Sequence, residues 1–253
     1  MISYITNIND NIRIFCERGD ICGCRALCLI ESYGAYGNII DFWVQYIDDR
    51  IVSVIVKYGA DMTVVTSDDT DKNELRDFIY ATGAKSIVFD RPFYNAEIVG
   101  KVMELKEPAE NKIPDGCRIE KDVPLNEAYD LIKKCKGKGF VCPSYEDFIL
   151  DTSHKLRHKR AVCCGLYNNK NTLCSFAMTS AMTDKTAVIG AVCTSPEYRR
   201  QGFGGAVVSS LVRMLGDRRI LLARTPNENE SFYDQLGFIQ SVISGCSDLF
   251  CYS

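Results

Sequence analysis

The stretch PEYRRQGFGG, residues Pro196 to Gly205, decides the reading of the fold. It sets two arginines, a glutamine and three glycines between an apolar run, TAVIGAVCT, and a run in which Val208, Leu211, Val212 and Leu215 recur at helical spacing. A strand thus passes through a glycine-rich loop into a helix. A helix N-terminus carries N–H groups without intrahelical partners and the positive end of the helix dipole, so an anion is stabilised there without any side chain. Gly202, Gly204 and Gly205 let the backbone turn sharply and keep its N–H groups approachable, while Arg199 and Arg200 add charge at the entrance. The junction reads as a seat for a diphosphate. It has neither the G-x-G-x-x-G of a dinucleotide fingerprint nor the G-K-[ST] of a P-loop.

Upstream of the loop, PLNEAYDLIKK and SYEDFILDTSHKL read as helices, and AVCCGLY and TLCSFAMTSAM as strands around an Asn168-Asn169 turn, before TAVIGAVCT as a third strand. Downstream, RRILLAR reads as a strand, NENESFYDQL as a helix, and the tail from Phe238 as two closing strands. The first half repeats part of this order. DFWVQYIDDRIVSVIVK is a hairpin around Asp48-Asp49, MTVVTS a strand, the segment with Leu75, Phe78 and Ile79 a helix bounded by Asp71 and Gly83, and SIVFD another strand. Its junction, TSDDTDKNEL, has four acidic residues and no glycine, so it repels the anion that the second junction attracts. ELKEPAENKIPDGCR is polar and carries Pro108 and Pro114, which sets the expected division at residues 1–107, a linker at 108–116, and 117–253.

The chain has 253 residues, 46% of them hydrophobic and 25% charged, enough for two modest cores. A net charge of −3 gives no general attraction to nucleic acid or to an anionic membrane. No apolar run approaches the roughly 18 residues of a membrane span, and MISYITNINDNIRIF lacks the pattern of an export signal, so the expected location is cytoplasmic. Thirteen cysteines cannot all pair within one chain and read mostly as small buried residues. Cys16, Cys22, Cys24 and Cys28 match no common zinc or iron-sulfur spacing, and the expectation is no metal.

VCTSPEYRRQGFGGAVVSSL resembles the acetyl-CoA-binding motif of the GNAT N-acetyltransferase superfamily, Q/R-x-x-G-x-G/A, at Arg199, Gly202 and Gly204. NENESFYDQLGF resembles the later motif of that family, a helix bearing a tyrosine that ends at Leu-Gly-Phe, here Tyr233 and Leu236-Gly237-Phe238. The resemblance covers about Cys117 to Ser253. It implies a mixed, mostly antiparallel twisted α/β sheet flanked by helices, with the first half either a degenerate second copy or an unrelated α/β domain. It also implies a fourth strand, TAVIGAVCT, splayed from the fifth, with backbone of Val192 and Thr194 binding pantetheine and an N–H near Ala191 or Val192 polarising the thioester carbonyl. The implied set for acetyl-CoA, without metal, is Val192, Cys193, Thr194, Arg199, Arg200, Gln201, Gly202, Phe203, Gly204, Gly205, Asn229 and Tyr233.

The implied activity is acetyl transfer to a primary amine of a small molecule or protein by direct attack. A non-catalytic acyl-CoA-binding module is the alternative. Tyr233 is either the acid that protonates the departing thiolate or a packing residue beside Phe232. TAVIGAVCT carries no carboxylate to serve as base, which leaves a water relay, or His158 or His154, which sit equally well as a solvated helix end. Glu197 reads as surface charge, and Cys193 as a bystander rather than an acyl carrier.

Overall fold

The computed structural model describes residues 1–18, 20–34, 39–135, 142–241 and 247–252. The chain forms two compact units that are not simple halves: Met1–Met103, Ala223–Pro226 and Gln240–Ser253 make the first, Glu104–Leu222 and Asn227–Ile239 the second. The closing residues of the chain thus belong with its beginning, a division different from one at residue 117.

In the first unit, β1 (Ile2–Tyr4), α1 (Asp10–Glu17) and α2 (Ile21–Tyr33) precede β2 (Ile40–Ile47) and β3 (Arg50–Tyr58). Asp48 and Asp49 join the last two with φ of 48° and 58°, the paired positive φ that a tight hairpin turn requires. β4 (Asp61–Thr66), α3 (Lys72–Thr82), β5 (Ser86–Phe89) and β6 (Glu97–Leu105) follow. α3 begins and ends where its caps are: the Asp71 carboxylate accepts the N–H groups of Asn73 and Glu74 at 3.0 and 3.1 Å, and Gly83 turns left-handed at φ 65°. β4 and β5 run parallel, while β13 (Asp248–Tyr252) inserts antiparallel beside β5 and pairs with β6 on its other edge. Phe250 of β13 joins Ile55, Met62, Val64, Leu75 and Phe89 in one core. Cys16, Cys22, Cys24 and Cys28 are all buried in α1 and α2 as packing residues.

In the second unit, β7 (Arg118–Glu120), α4 (Leu125–Cys135) and α5 (Tyr145–Arg157) lead into β8 (Cys163–Tyr167), β9 (Leu173–Met182) and β10 (Thr186–Thr194). α6 (Phe203–Leu215), β11 (Arg219–Arg224), the short α7 (Glu230–Gln235) and β12 (Phe238–Gln240) complete the order. β7 to β10 form an antiparallel meander, and β11 joins β10 in parallel. The inner faces of α4 and α5 bury Ala128, Leu131, Ile132 and Phe148 against Phe176 of β9. Leu131, Ile132 and Phe148 each contribute about 1.5–3 kcal/mol on burial.

The repeat is fuller than the hairpin, strand, helix, strand order alone. Each unit starts with a short edge strand and two helices, and α7 has no counterpart in the first. The proline-bearing stretch after Glu107 has no regular structure but is fastened down: Ser209 of α6 donates to the Ala109 carbonyl at 2.8 Å, and Asn111 donates to Ser209 at 3.0 Å. No helix among the described residues is long and apolar enough to cross a membrane.

Candidate functional site

β10 pairs with β11 only from Thr186 to Ile189, whereas its pairing with β9 continues to Thr194. The register slips on both sides of Ile189, and a Cβ on Gly190 would collide with Ser180 of β9. Beyond this bulge the strand has, among the described residues, a partner on one edge only. Ser195 N–H donates to Cys174 of β9 at 2.9 Å and Ser175 Oγ donates to the Cys193 carbonyl at 3.0 Å, which fixes the alternation. Cys193 therefore turns its backbone groups toward β9, and Val192 and Thr194 turn theirs to the side that β11 has left. The Thr194 carbonyl accepts from the Arg199 guanidinium at 3.1 Å and from the Cys135 thiol at 3.3 Å. Its N–H and the backbone of Val192 lie on the edge of β10 past its last pairing with β11.

The loop then turns through a short 3-10 helix, Pro196–Tyr198, with Arg200 at φ 61° and Gly202 at φ 84°. Gly202 is the N-cap of α6 and supplies no side-chain cap, so no N-cap side chain occupies the first N–H groups of the helix. The three glycines have separate reasons. Gly202 serves the left-handed turn; a Cβ on Gly204 would sit 3.2 Å from Thr194 Oγ1 and 3.3 Å from the Phe232 ring; one on Gly205 would sit 2.7 Å from Asn111. The end of β10, the start of α6 and α7 thus meet at Gly204.

The other predicted residues fall around this point. Phe203 is buried against Tyr198, with centroids 5.0 Å apart, and Gln201 donates to the Glu197 carbonyl at 2.8 Å. Asn229, at φ 55°, starts α7. Tyr233 is half-buried, edge-on to Phe232 at 5.0 Å and to Phe238 at 5.9 Å. Arg200 is exposed, and Arg199 is folded back onto β10 rather than standing free at the entrance. His158 lies elsewhere, at the exposed C-terminus of α5, stacked on His154 at 4.3 Å. Glu197 is held down to about 2 by hydrogen bonds from Lys134 and Ser195 and by the Lys134 charge. It is an ion-paired surface carboxylate.

Sequence reasoning missed Ser175, Gly190 and Cys135. A glycine inside a strand pattern was the available signal for the bulge. Nothing local marks Cys135, whose surroundings come from β10.

The matching positions of the first unit are filled by its own carboxylates. Asp71 occupies the N-terminus of α3, where α6 is bare. Asp90, just past β5, accepts the Thr66 N–H at 3.0 Å and the Thr66 hydroxyl at 2.7 Å, tying the ends of β4 and β5 together. Burial and the neighbouring Asp20 carboxylate raise the Asp90 carboxyl well above its usual range.

Residues 125–238 match the model of the Acetyltransferase (GNAT) family. No curated protein sequence matches the chain. A tandem GNAT protein from the clavulanic acid biosynthesis pathway is similar in structure, with a TM-score of 0.59 at 11% identity over 100% of this chain and 98% of the other. A Drosophila protein gives 0.67 at 7% identity, covering 99% and 97%. A GNAT-family acetyltransferase from Colwellia psychrerythraea gives 0.58 at 11% identity over the full length of both. These likenesses extend the fold across both units. Residues 125–238 are thus an acetyltransferase domain of the GNAT family.

Proposed function

We propose that the second unit transfers an acetyl group from acetyl-CoA to a primary amine of a small molecule or protein by direct attack, and that the chain carries one such site. The observation that carries this reading is the pairing of an uncapped α6 N-terminus with a β10 edge left open past Ile189. The α6 N–H groups, with Arg200 at the mouth of the loop, hold the diphosphate. The backbone of Val192 and Thr194 pairs with the pantetheine amides as an added strand would. An N–H beside the Gly190 bulge polarises the thioester carbonyl. The Tyr233 hydroxyl gives its proton to the departing thiolate, and water takes the proton of the amine.

Calorimetric titration with acetyl-CoA, followed by free-thiol release across a panel of amines, tests both parts. Binding at one equivalent and thiol release with at least one amine is the expected result. No binding at millimolar ligand overturns the reading. The second reading, an acyl-CoA-binding module without catalysis, is favoured by a β10 sequence without a carboxylate, and tight binding with no turnover on any amine selects it.

A further inference from the structure

β9 and β10 slip against each other twice within a few residues. Val188 faces Ala181 and Ile189 faces Thr179, so Ser180 is passed over on β9; Ala191 then faces Met178, so Gly190 is passed over on β10. Each is an extra residue in its own strand, and a ladder interrupted in this way leaves backbone groups to be satisfied from outside it. The donor comes from α5. Lys155 Nζ donates to the Ser180 carbonyl at 3.3 Å, and the Asp151 carboxylate, one turn earlier on the helix, accepts from the same ammonium at 2.8 Å. A lysine normally keeps its head in water, yet this side chain is only 12% exposed and is held under the helix by those two partners. The faces agree with this placing. Phe176 and Met178 lie in the core that Phe148 of α5 enters, and Ser180 continues their face of β9. A Cβ on Gly190 would meet Ser180 Cβ at 2.4 Å, so Gly190 turns to that face as well, and it is the one exposed residue of β10.

We propose that Lys155, held in place by Asp151, is a positioning residue for acyl transfer: its bond to the Ser180 carbonyl fixes the double slip of β9 and β10, and with it the direction of the N–H groups at Gly190 and Ala191. Removing the ammonium takes from Ser180 the donor that α5 supplies. Gly190, with no side chain to restrict its φ and ψ, then lets the bulge relax. A backbone donor stabilises a developing oxyanion only while its direction is set beforehand, and a displacement of about 1 Å is enough to cost a large factor in rate. Lys155 does this without touching the thioester; it acts through Ser180 and the bulge. The effect on transfer rests on the acetyl-CoA reading; the bracing of the bulge does not.

The test has a ligand-free arm and a kinetic arm, each run on the parent, Lys155→Met and Lys155→Arg. Methionine keeps an unbranched stem without the charge or the donors, and arginine keeps both. In the first arm, amide hydrogen exchange in Lys155→Met is expected to quicken about tenfold at Gly190 and Ala191 and to stay unchanged at Leu211 of α6, with Lys155→Arg close to the parent. Unchanged exchange at the bulge overturns the bracing, and so does equal quickening at Leu211, which marks a general loss of stability. In the second arm, Lys155→Met is expected to keep its acetyl-CoA affinity and its KM for the amine within about twofold while single-turnover transfer slows by roughly ten- to a hundredfold, and Lys155→Arg to recover most of the rate. An unchanged rate overturns the positioning role, as does a loss of acetyl-CoA affinity as large as the loss of rate. If Lys155→Met does not fold, Asp151→Asn, which keeps the lysine and removes the charge that holds it, is read in both arms with the same expected directions and the same overturning results. A parent that transfers acetyl to no amine overturns the functional reading and the positioning role together, while the exchange arm still decides the bracing.

Discussion

Thr66, the last residue of β4, donates both its N–H and its hydroxyl to Asp90, one residue past β5. In the second unit, the corresponding strands β10 and β11 stop pairing at Ile189, and no such bridge is built from the residues that follow on β10. The first unit has closed with a carboxylate the gap that the second leaves open. Together with Asp71 on α3, this leaves the opening between β10 and β11 without a counterpart among the described residues of the first unit.

Gly202→Val and Asp71→Ala separate the two junctions. The valine at a left-handed position strains the loop by about 1–2 kcal/mol and withdraws the α6 N–H groups, so acetyl-CoA affinity is expected to fall by roughly tenfold or more. Loss of the Asp71 cap costs about 1 kcal/mol of stability and leaves affinity unchanged. Calorimetry and urea unfolding on both variants read the difference, and equal affinity losses would contradict a single site.

Tyr233→Phe tests the acid. The phenyl ring keeps the edge contacts to Phe232 and Phe238, so fold and ground-state affinity are retained. Single-turnover transfer is expected to slow by roughly a hundredfold, as for loss of a positioned general acid. A rate near that of the parent returns Tyr233 to a packing role.

Asp90 gives a pH dependence with a defined sign. Burial and Asp20 raise its carboxyl in the folded state, so the folded chain holds this proton over a range in which the unfolded chain, with an aspartate near about 3.9, has lost it. Its contribution is fully present below about pH 4 and declines as pH rises toward the raised value. Asp90→Asn keeps the neutral, hydrogen-bonding form. Urea unfolding from pH 4 to pH 8 is expected to show the variant gaining on the parent as pH increases; parallel curves would refute the assignment.

Phe250→Ala examines the closing strand. Phe250 is buried among Ile55, Val64 and Phe89, and its removal is expected to cost about 3–5 kcal/mol. Hydrogen exchange is expected to quicken first in β5 and the β6 residues paired with β13. Protection unchanged at Val88 and Gly100 would show that β13 does not hold that edge.

Local chemistry was legible in the sequence and long-range chemistry was not. The Asp48-Asp49 turn, the α3 helix between Asp71 and Gly83, and the Ser144-initiated α5 each rest on groups a few residues apart. α2 escaped notice because it is buried on most sides, which erases the one-sided apolar stripe that marks a helix. The glycine loop was readable because Gly202 and the helix after it are adjacent. The meaning of Gly205, set by Asn111, and of Cys135, set by the Thr194 carbonyl it donates to, arises only once distant segments meet. The place of β13 was hidden for the same reason: its pattern says strand, and no residue near it says which neighbours it will pair with.

That place has a consequence for the order in which the protein can be made. A ribosome releases β5 and β6 long before Phe250, so the edges they share with β13 wait unpaired while the second unit is still being synthesised. Synthesis and folding cannot then proceed as two successive, independent events. The first unit reaches its final pairing last, and a chain stalled before β13 would expose two strand edges ready to join those of another nascent copy.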